Sequence, residues 1–415
     1  MKPAKKYRIA LYSPGIVGLG HLRRNLLISQ ALAESELQSV NLMVTEAREA
    51  SAFINAMPSG VDCITLPGLS KGVDGLCKPR YLDLPLKDVI ALRGRTIRAA
   101  LKEFAPDLLI VDNLPRGAYR EMDPALRKLK AMGHTKCVLG LRDVLDDPWT
   151  VHRDWFRWRF DEAIDEYFDE IWVYGDPTVY NMVEEYRFPP SIASKIRFAG
   201  YLDQRRRLNS VPAPLDDLAG SGGTPDGRMI LCLLGGGQDG DRLAETFSHA
   251  EFPVGAWGLI VTGPFMSAQM KERLLERAAA NPRLRVLNFI SEPTQLVQRA
   301  DRIIAMGGYN TVCEVLSFEK RALIVPRVKP RREQIIRALR LRDMGLIDML
   351  EVDRLTTPAL SAWMAKEIPP MRLNGVLKMD GLDKLPAMAS ELLGLGATEV
   401  EAAAVAEQVP ELVLS

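Results

Sequence analysis

The chain has 415 residues, a length that typically holds two domains, each with its own hydrophobic core. Its 54 Lys and Arg residues almost balance its 53 Asp and Glu residues, which excludes the strongly basic surface of a nucleic-acid-binding protein. The five cysteines are scattered and form no CxxC pair, so they argue against a zinc site and favour a reducing compartment.

The N-terminal sequence and the hydropathy of the chain predict a cytoplasmic protein. The stretch MKPAKKYRIALYS has basic residues but only a strand-length apolar segment, unlike a signal peptide. No apolar run approaches the roughly 20 residues that span a bilayer. We therefore expect any membrane contact to be peripheral, at the inner face of the membrane.

Short apolar runs alternate with amphipathic segments along the first half of the chain. Strands are predicted at residues 9–12, 40–45, 63–66, 107–111, 137–141 and 171–174. Helices are predicted at residues 22–33, 86–104, 120–132, 153–167 and 178–186. This alternation is typical of βαβ units, which build a parallel sheet.

The segment 209–228, rich in Pro, Gly and Asp, interrupts the alternation and predicts a linker. Further strands are predicted at residues 229–234, 259–261, 286–289, 303–305 and 323–325. Helices follow at residues 241–249, 267–279, 294–299, 311–318 and 332–343. We predict an α/β protein with two doubly wound, Rossmann-like domains that face each other across a cleft. The domains are predicted at residues 1–208 and 229–385, before a C-terminal tail at 386–415.

Two glycine-containing turns follow predicted strands of the second half, at the sheet edge where open α/β sheets bind ligands. Glycine lets the backbone approach a ligand closely, and free N–H groups at a helix start attract phosphate. The first turn, at 235–240, is not followed by the GK[ST] of a P-loop, which argues against ATP hydrolysis. Two such turns together predict a diphosphate site. The candidate donor-binding residues of these turns are Gly236, Gly237, Gln238, Gly307, Gly308, Asn310 and Thr311.

A glycine-rich loop also follows the first strand, and it ends in Gly20 and His21. A histidine in the first turn of a helix has a lowered pKa, which favours the neutral form that accepts a proton. We therefore predict His21 as a general base beside the cleft, with Gly20 in the donor site. Asp143 is a second catalytic candidate because it follows a strand. Asp112 and Asp239 are alternative bases, although each aspartate equally fits a capping role.

The order of these elements resembles the C-terminal domain of the family 28 glycosyltransferases, enzymes with the two-domain GT-B fold. In that family a glycine-containing turn, a helix with a Glu one turn in, and a later Gln-bearing segment hold a nucleotide-sugar. The resemblance implies that Glu314 holds the ribose hydroxyls and that the backbone at Ile290 contacts the nucleobase. It also implies donor contacts for Glu333 and Gln334. The first-half loop resembles the N-terminal domain of the same family, but its Gly-Leu-Gly-His sequence replaces a Gly-Gly-His core.

The resemblance implies a glycosyltransferase that moves a sugar from a nucleotide-sugar, expected to be UDP-linked, to a carbohydrate or lipid-linked hydroxyl acceptor. Neither a cofactor nor a metal is expected, because the acidic pair Asp146-Asp147 looks like a turn before Pro148 instead of a metal site. Two alternatives stay open. One is a hydrolase or epimerase acting on the same nucleotide-sugar, and the other is a non-catalytic nucleotide-sugar-binding protein.

Aromatic residues are dense at positions 149–158, where they are interspersed with arginines. Packed inside, they would belong to the core of a helix. Exposed, they would form an apolar patch that touches a lipid-linked acceptor or a membrane surface. The residues concerned are Trp149, Trp155, Phe156 and Trp158.

Overall fold

The computed structural model describes residues 6–14, 20–46, 57, 59–71, 77–210, 226–236, 239–288, 290, 292–367 and 369–395. Most of the predicted linker and of the C-terminal tail lies outside these ranges. Two residues predicted for the donor site, Gly237 and Gln238, also lie outside them.

The first domain is built on a sheet of seven parallel strands. In chain order its strands and one small hairpin are β1 (Arg8–Tyr12), β2 (Val40–Thr45), β3 (Val61–Thr65), β4 (Leu69–Lys71), β5 (Cys77–Pro79), β6 (Leu108–Asp112), β7 (Lys136–Arg142), β8 (Glu170–Tyr174) and β9 (Ile196–Phe198). The sheet order is β3-β2-β1-β6-β7-β8-β9, and β4 pairs with β5 antiparallel. All five residues of β6 are buried, as expected for a strand whose sheet is covered on both faces.

Among the described residues, seven helices accompany this sheet. They are α1 (Gly20–Ala33), α2 (Leu86–Phe104), α3 (Asp123–Met132), α4 (Pro148–Trp158), α5 (Phe160–Tyr167), α6 (Met182–Tyr186) and α7 (Pro190–Ala193). The single helix predicted at 153–167 is wrong, because Arg159 adopts a left-handed conformation with φ of 53° and separates α4 from α5. The helix predicted at 178–186 begins only at Met182, where the Asn181 side chain caps it.

The second domain is built on a sheet of six parallel strands. These strands are β10 (Arg228–Leu233), β11 (Ala256–Val261), β12 (Leu284–Leu287), β13 (Arg302–Ala305), β14 (Arg321–Ile324) and β15 (Asp348–Met349). Its order is β12-β11-β10-β13-β14-β15. The helices of this half are α8 (Asp241–Ser248), α9 (Ala268–Ala280), α10 (Thr294–Arg299), α11 (Tyr309–Ser317), α12 (Glu333–Asp343), α13 (Thr357–Ala365) and α14 (Gly381–Leu392). The prediction of two doubly wound, Rossmann-like domains is confirmed.

The chain returns to the first domain after α13. The Tyr201 amide donates to the Lys378 carbonyl, and the Gly381 amide donates to the Tyr201 carbonyl. Helix α14 then packs on α1, and Leu382 and Leu385 share one buried cluster with Leu26. The boundary predicted at residue 385 falls inside α14, so the last described helix completes the core of the first domain.

Each sheet reverses its strand order once, between β1 and β6 in the first domain and between β10 and β13 in the second. Loops diverge at such a switch point and leave a crevice at the carboxyl ends of the strands. Residues from both crevices line one common cavity. The fold therefore places the two carboxyl edges face to face. Among the described residues, no helix is both long and apolar enough to cross a membrane.

Buried ion pairs join the two domains across this cleft. Arg337 of α12 donates to both carboxylate oxygens of Asp143 at 2.6–3.0 Å, and neither side chain is more than 1% exposed. The Tyr201 hydroxyl donates to the same carboxylate at 2.8 Å. Arg331 reaches Asp146 at 3.1 Å and Asp154 at 2.8 Å nearer the surface.

We predict that Arg337→Met lowers the free energy of unfolding by about 3–5 kcal/mol, because it leaves the Asp143 carboxylate buried without its cation. Urea denaturation followed by circular dichroism measures this loss. Arg342→Met is the matched control on the same helix, since the Arg342–Asp343 pair is exposed, and it should change the value by less than about 0.5 kcal/mol. Equal free energies of unfolding of the two variants would contradict a stabilising role of the buried Arg337–Asp143 ion pair.

Candidate functional site

A cavity of about 280 Å³ lies between the two domains, at the carboxyl ends of both sheets. Ten of the residues predicted for the site line it. They are Gly20, His21, Gly236, Ile290, Gly308, Asn310, Thr311, Glu314, Glu333 and Gln334. Gly307 lies just beneath the lining, where an added Cβ would be 3.2 Å from the Gln334 side chain. Asp143 does not line the cavity, because its carboxylate is enclosed by Arg337, Tyr201 and the Val144 amide.

His21 is held in the first turn of α1 by a buried carboxylate. Its Nδ1 lies 2.7 Å from Oδ2 of Asp112, the last residue of β6, which is fully buried. Arg24 donates to both Asp112 oxygens at 2.5 and 2.7 Å, and its Nη2 lies 3.1 Å from the His21 Nδ1. Because an ionised Asp112 can only accept, Nδ1 carries the proton and Nε2 keeps a free lone pair.

The pKa values of this pair favour proton acceptance at neutral pH. Burial lowers the pKa of His21 below its usual 6.5, and the nearby Asp112 carboxylate opposes that shift only in part. Burial alone would raise the pKa of Asp112, but Arg24 and His21 reverse the effect and lower it to about 2. The site thus combines an ionised aspartate with a neutral histidine.

The second domain contributes two glycine turns to the cavity. Gly235 has a positive φ of 58°, and a Cβ added at Gly235 or Gly308 would meet no atom within 4 Å. Helix α11 begins directly after Gly308, and no side chain caps it. Its first N–H groups are therefore available to an anion. The Asn310 amide donates to the Gly20 carbonyl at 2.9 Å and so joins this helix start to the first domain.

Glu314 lies one turn into α11 and is fully buried at an interdomain charge cluster. Arg23 of α1 donates to Glu314 at 2.9 Å and to Glu292 at 2.7 Å, and Arg207 reaches Glu292 at 3.2 Å. Burial raises the pKa of Glu314, against the opposing effect of Arg23. Arg23 therefore helps to keep this carboxylate available as a hydrogen-bond acceptor.

Glu333 and Gln334 open α12 on the far side of the cavity. Arg327 donates to Glu333 at 2.9 Å and to Asp239 at 2.7 Å, while its backbone N–H donates to the Gln334 side chain at 3.2 Å. The segment after β14 is thereby joined to the turn after β10. Asp239, an alternative base on sequence grounds, is used in this link.

The strand order of the second sheet arranges the cavity residues in a line. Ile290 follows β12 at one side, and Thr262 follows β11. Gly235 and Gly308 follow the two central strands, and Glu333 lies beyond β14 at the other side. The Thr262 hydroxyl is buried and has no partner among the described residues. The cavity therefore presents a row of backbone and side-chain groups, able to form hydrogen bonds, along one sheet edge.

Several site residues escaped sequence reasoning. The run Arg23-Arg24 has the charge pattern of a solvated helix face, yet Arg24 is buried, Arg23 is largely so, and both form ion pairs. Glu292 and Thr262 carried no local signal, since nothing in their neighbouring sequence marks them, whereas Arg142 was expected to face the cleft because it follows a predicted strand. Within the described residues, no three His, Cys, Asp or Glu side chains group together as metal ligands would.

The aromatic cluster at 149–158 divides between core and surface. Trp155 is buried and stacks on Phe188 with ring centroids 4.5 Å apart. Trp149 and Phe156 are 68% and 85% exposed, and Arg153 lies over the Trp149 ring. Positions 149, 153 and 156 share one face of α4. The outer face of α4 therefore presents two large apolar side chains beside an arginine.

Comparison with known proteins supports this picture of the second domain. Residues 230–373 match the family model of the glycosyltransferase family 28 C-terminal domain. The UDP-N-acetylglucosamine–N-acetylmuramyl-(pentapeptide) pyrophosphoryl-undecaprenol N-acetylglucosamine transferase of Cronobacter sakazakii is 28% identical over 157 residues, or 38% of this chain and 43% of that protein. The chain thus spans less than half of this relative. An uncharacterized glycosyltransferase of Methanosarcina mazei is 22% identical over 385 residues, 91% of this chain and 93% of that protein.

Solved structures with the same fold cover nearly the whole chain. The UDP-GlcNAc 2-epimerase of Methanocaldococcus jannaschii has a TM-score of 0.59 at 13% identity, covering 93% of this chain and all of that one. A UDP-glucosyltransferase of Polygonum tinctorium has a TM-score of 0.57 at 12% identity, covering 98% of this chain and all of that one. At such identities the likeness shows the fold alone.

Two Rossmann-like domains that share a cavity at their carboxyl edges define the class of protein, which is the GT-B fold. Within that class the chain is similar to the family 28 glycosyltransferases, whose C-terminal domain model matches residues 230–373.

Proposed function

We propose that this protein is a glycosyltransferase that moves a sugar from a nucleotide-sugar to a hydroxyl acceptor without a metal ion. One observation carries the proposal. In a single cavity, His21 of the first domain, held by the buried Asp112, faces two glycine turns and an uncapped helix start of the second. This arrangement offers a base on one side and an anion site on the other.

The donor would lie along the row of residues at the edge of the second sheet. The nucleobase would contact the backbone near Ile290, and the ribose hydroxyls would donate to Glu314. The diphosphate would bind the amides around Gly235 and Gly308, at the positive end of the α11 dipole. The transferred sugar would then reach Glu333 and Gln334. The relative from Cronobacter sakazakii is named for a UDP-sugar donor and a lipid-linked acceptor, which supports a uridine nucleotide and an acceptor of that kind.

The reaction proceeds by proton removal and displacement at the anomeric carbon. His21 Nε2 takes the proton of the acceptor hydroxyl, and the acceptor oxygen forms a bond to that carbon. The bond from the carbon to the donor phosphate oxygen breaks, and its electron pair leaves with the nucleoside diphosphate. Amides of the glycine turns stabilise the charge that develops on the leaving group. Asp112 stabilises the imidazolium that forms on His21.

Glu314→Ala should weaken the binding of UDP by about ten- to hundredfold, because a hydrogen bond to a charged group contributes about 1.5–3 kcal/mol. The fold should persist, since Arg23 keeps its ion pair with Glu292. Isothermal titration with UDP measures the change, and Glu245→Ala, an exposed position on α8, is the control. Unchanged affinity in a folded Glu314→Ala protein would remove this residue from the donor site.

His21→Ala should lower turnover by about 10²–10⁴-fold while UDP affinity stays close to that of the wild type. The wild-type rate should fall with decreasing pH only below pH 6.5, because the pKa of His21 is lowered and the imidazole therefore stays neutral at pH 6.5 and above. Asp112→Asn removes a charge that raises the His21 pKa, so this variant should be slower and its acid limb should move to still lower pH.

The assay measures UDP release from UDP-sugars with carbohydrate and lipid-linked acceptors, in excess EDTA. A parallel reaction without acceptor separates transfer from hydrolysis, and analysis of the released sugar detects epimerisation. Full activity of His21→Ala would exclude His21 as the base. Activity that returns only with added Mg²⁺ would contradict the metal-free reaction.

We also propose a peripheral membrane contact through the outer face of α4, defined by Trp149, Arg153 and Phe156. Helix α4 follows β7, so it begins at the carboxyl edge of the first sheet, the edge that borders the cavity. Aromatic side chains insert at the headgroup level, and each nearby arginine adds about 1 kcal/mol of attraction to anionic lipid. A lipid-linked acceptor would thereby be delivered at the cleft.

The double variant Trp149→Ser, Phe156→Ser should bind vesicles of phosphatidylglycerol and phosphatidylethanolamine about tenfold more weakly or worse, since each large apolar side chain contributes about 1.5–3 kcal/mol on burial. Co-sedimentation with vesicles measures binding. Val254→Ser is the control, because Val254 is 94% exposed and precedes β11 at the opposite sheet edge. Equal vesicle binding by wild type and double variant would exclude this surface.

A further inference from the structure

Arg142, the last residue of β7, lines the cavity and has no partner among the described residues. Its guanidinium forms no hydrogen bond or ion pair with any described residue, and its Nε is buried. The other arginines that line the cavity are all paired with carboxylates. These are Arg23 with Glu292 and Glu314, Arg24 with Asp112, and Arg327 with Asp239 and Glu333.

The surroundings of Arg142 make the positive charge of its guanidinium energetically unfavourable. Burial lowers the pKa of Arg142, and the positive charges of Arg24 and Arg337 add to that shift. The acids within reach of its field, Glu333 and Asp112, already hold other arginines. Arg142 is partly buried, and a shielded charge without a partner costs free energy; such charges concentrate at sites that receive a charged ligand. We therefore expect the substrate to supply an anion that pairs with Arg142.

The position of Arg142 indicates which part of the substrate carries that anion. Asp143, the residue after Arg142, binds Arg337 of α12, and Asp146 accepts a hydrogen bond from the Arg332 amide. The end of β7 therefore lies against the start of α12, where Glu333 is. Glu333 lies beyond β14, whereas the glycine turns follow the central strands β10 and β13. On the proposed function, from which this step follows, the β14 side holds the sugar and the centre holds the diphosphate. Strand β7 pairs with β6, whose last residue Asp112 holds His21, so Arg142 lies on the same side of the cavity as the proposed base.

We propose that Arg142 binds a carboxylate on the transferred sugar, and that the donor is a nucleoside diphosphate hexuronate. A guanidinium pairs with a carboxylate through two parallel hydrogen bonds, which a neutral hydroxymethyl group at the same sugar position cannot reproduce. Arg142 would thus select acidic over neutral donors.

The test compares the affinities of UDP, UDP-glucose and UDP-glucuronate by isothermal titration. The wild type should bind UDP-glucuronate about ten- to hundredfold more tightly than UDP-glucose. Arg142→Met should abolish that preference and leave the affinities for UDP and UDP-glucose within about twofold. Arg142→Lys should keep part of the preference, because it retains the charge without the planar pair of donors. If UDP does not bind, GDP, GDP-mannose and GDP-mannuronate serve as the second series.

Two further measurements separate a substrate contact from other roles. The melting temperature of Arg142→Met should stay close to that of the wild type, because the variant breaks no hydrogen bond among the described residues and its loss of attraction to Glu333 is offset by the loss of repulsion from Arg24 and Arg337. Arg340→Met controls for a general loss of positive charge, since Arg340 pairs with Glu185 at the domain interface outside the cavity lining. It should leave the preference unchanged.

Equal wild-type affinity for neutral and acidic donors would overturn the inference. So would a loss of UDP affinity in Arg142→Met as large as the loss for UDP-glucuronate, which would assign Arg142 to the diphosphate. A failure of the proposed function would give a different result. In that case no nucleoside diphosphate would bind, or its binding would not be weakened by Glu314→Ala.

Discussion

The buried contact between Asp143 and Arg337 is the constraint on which the cleft depends. Arg337 binds both oxygens of Asp143 and also donates to the Gly307 carbonyl at 2.9 Å. One side chain thus fixes the end of a first-domain strand against a glycine turn of the second domain. Such a pair adds little net stability over apolar packing, since burial of both charges is costly. Its contribution is geometric, because it sets the distance at which the two carboxyl edges face each other.

Burial and ion pairs together also determine the protonation states in the cleft. Burial would raise the pKa of Glu292, but Arg23 and Arg207 reverse this and lower it to about 2. Asp112 responds in the same way to Arg24 and His21. His21 itself is kept neutral by burial. The cleft at neutral pH therefore contains ionised carboxylates and a neutral imidazole, the combination that lets a histidine accept a proton while the carboxylates stay ionised acceptors.

The fold was largely predictable from the sequence, because strands buried on both faces appear as short apolar runs. β6, expected at 107–111, lies at Leu108–Asp112. The break at Arg159 was not predictable, since nothing in that residue type signals a left-handed backbone. Glycine turns and His21 were predictable because they follow strands. The partners of Arg23 were not, because Glu292 and Glu314 lie 269 and 291 residues away and meet it only where the domains join.

That long-range pairing has a consequence for the donor site itself. Glu314 belongs to the second domain, yet its carboxylate is opposed by a cation only because Arg23 reaches across from α1. Without Arg23, burial beside Glu292 would raise the pKa of Glu314 further and favour the protonated acid, a poorer acceptor for ribose hydroxyls. The proposed nucleotide site therefore depends on both domains together. On that proposal, any motion that separates α1 from α11 would weaken donor binding, and a bound nucleotide would in turn favour the arrangement in which Arg23 reaches Glu314.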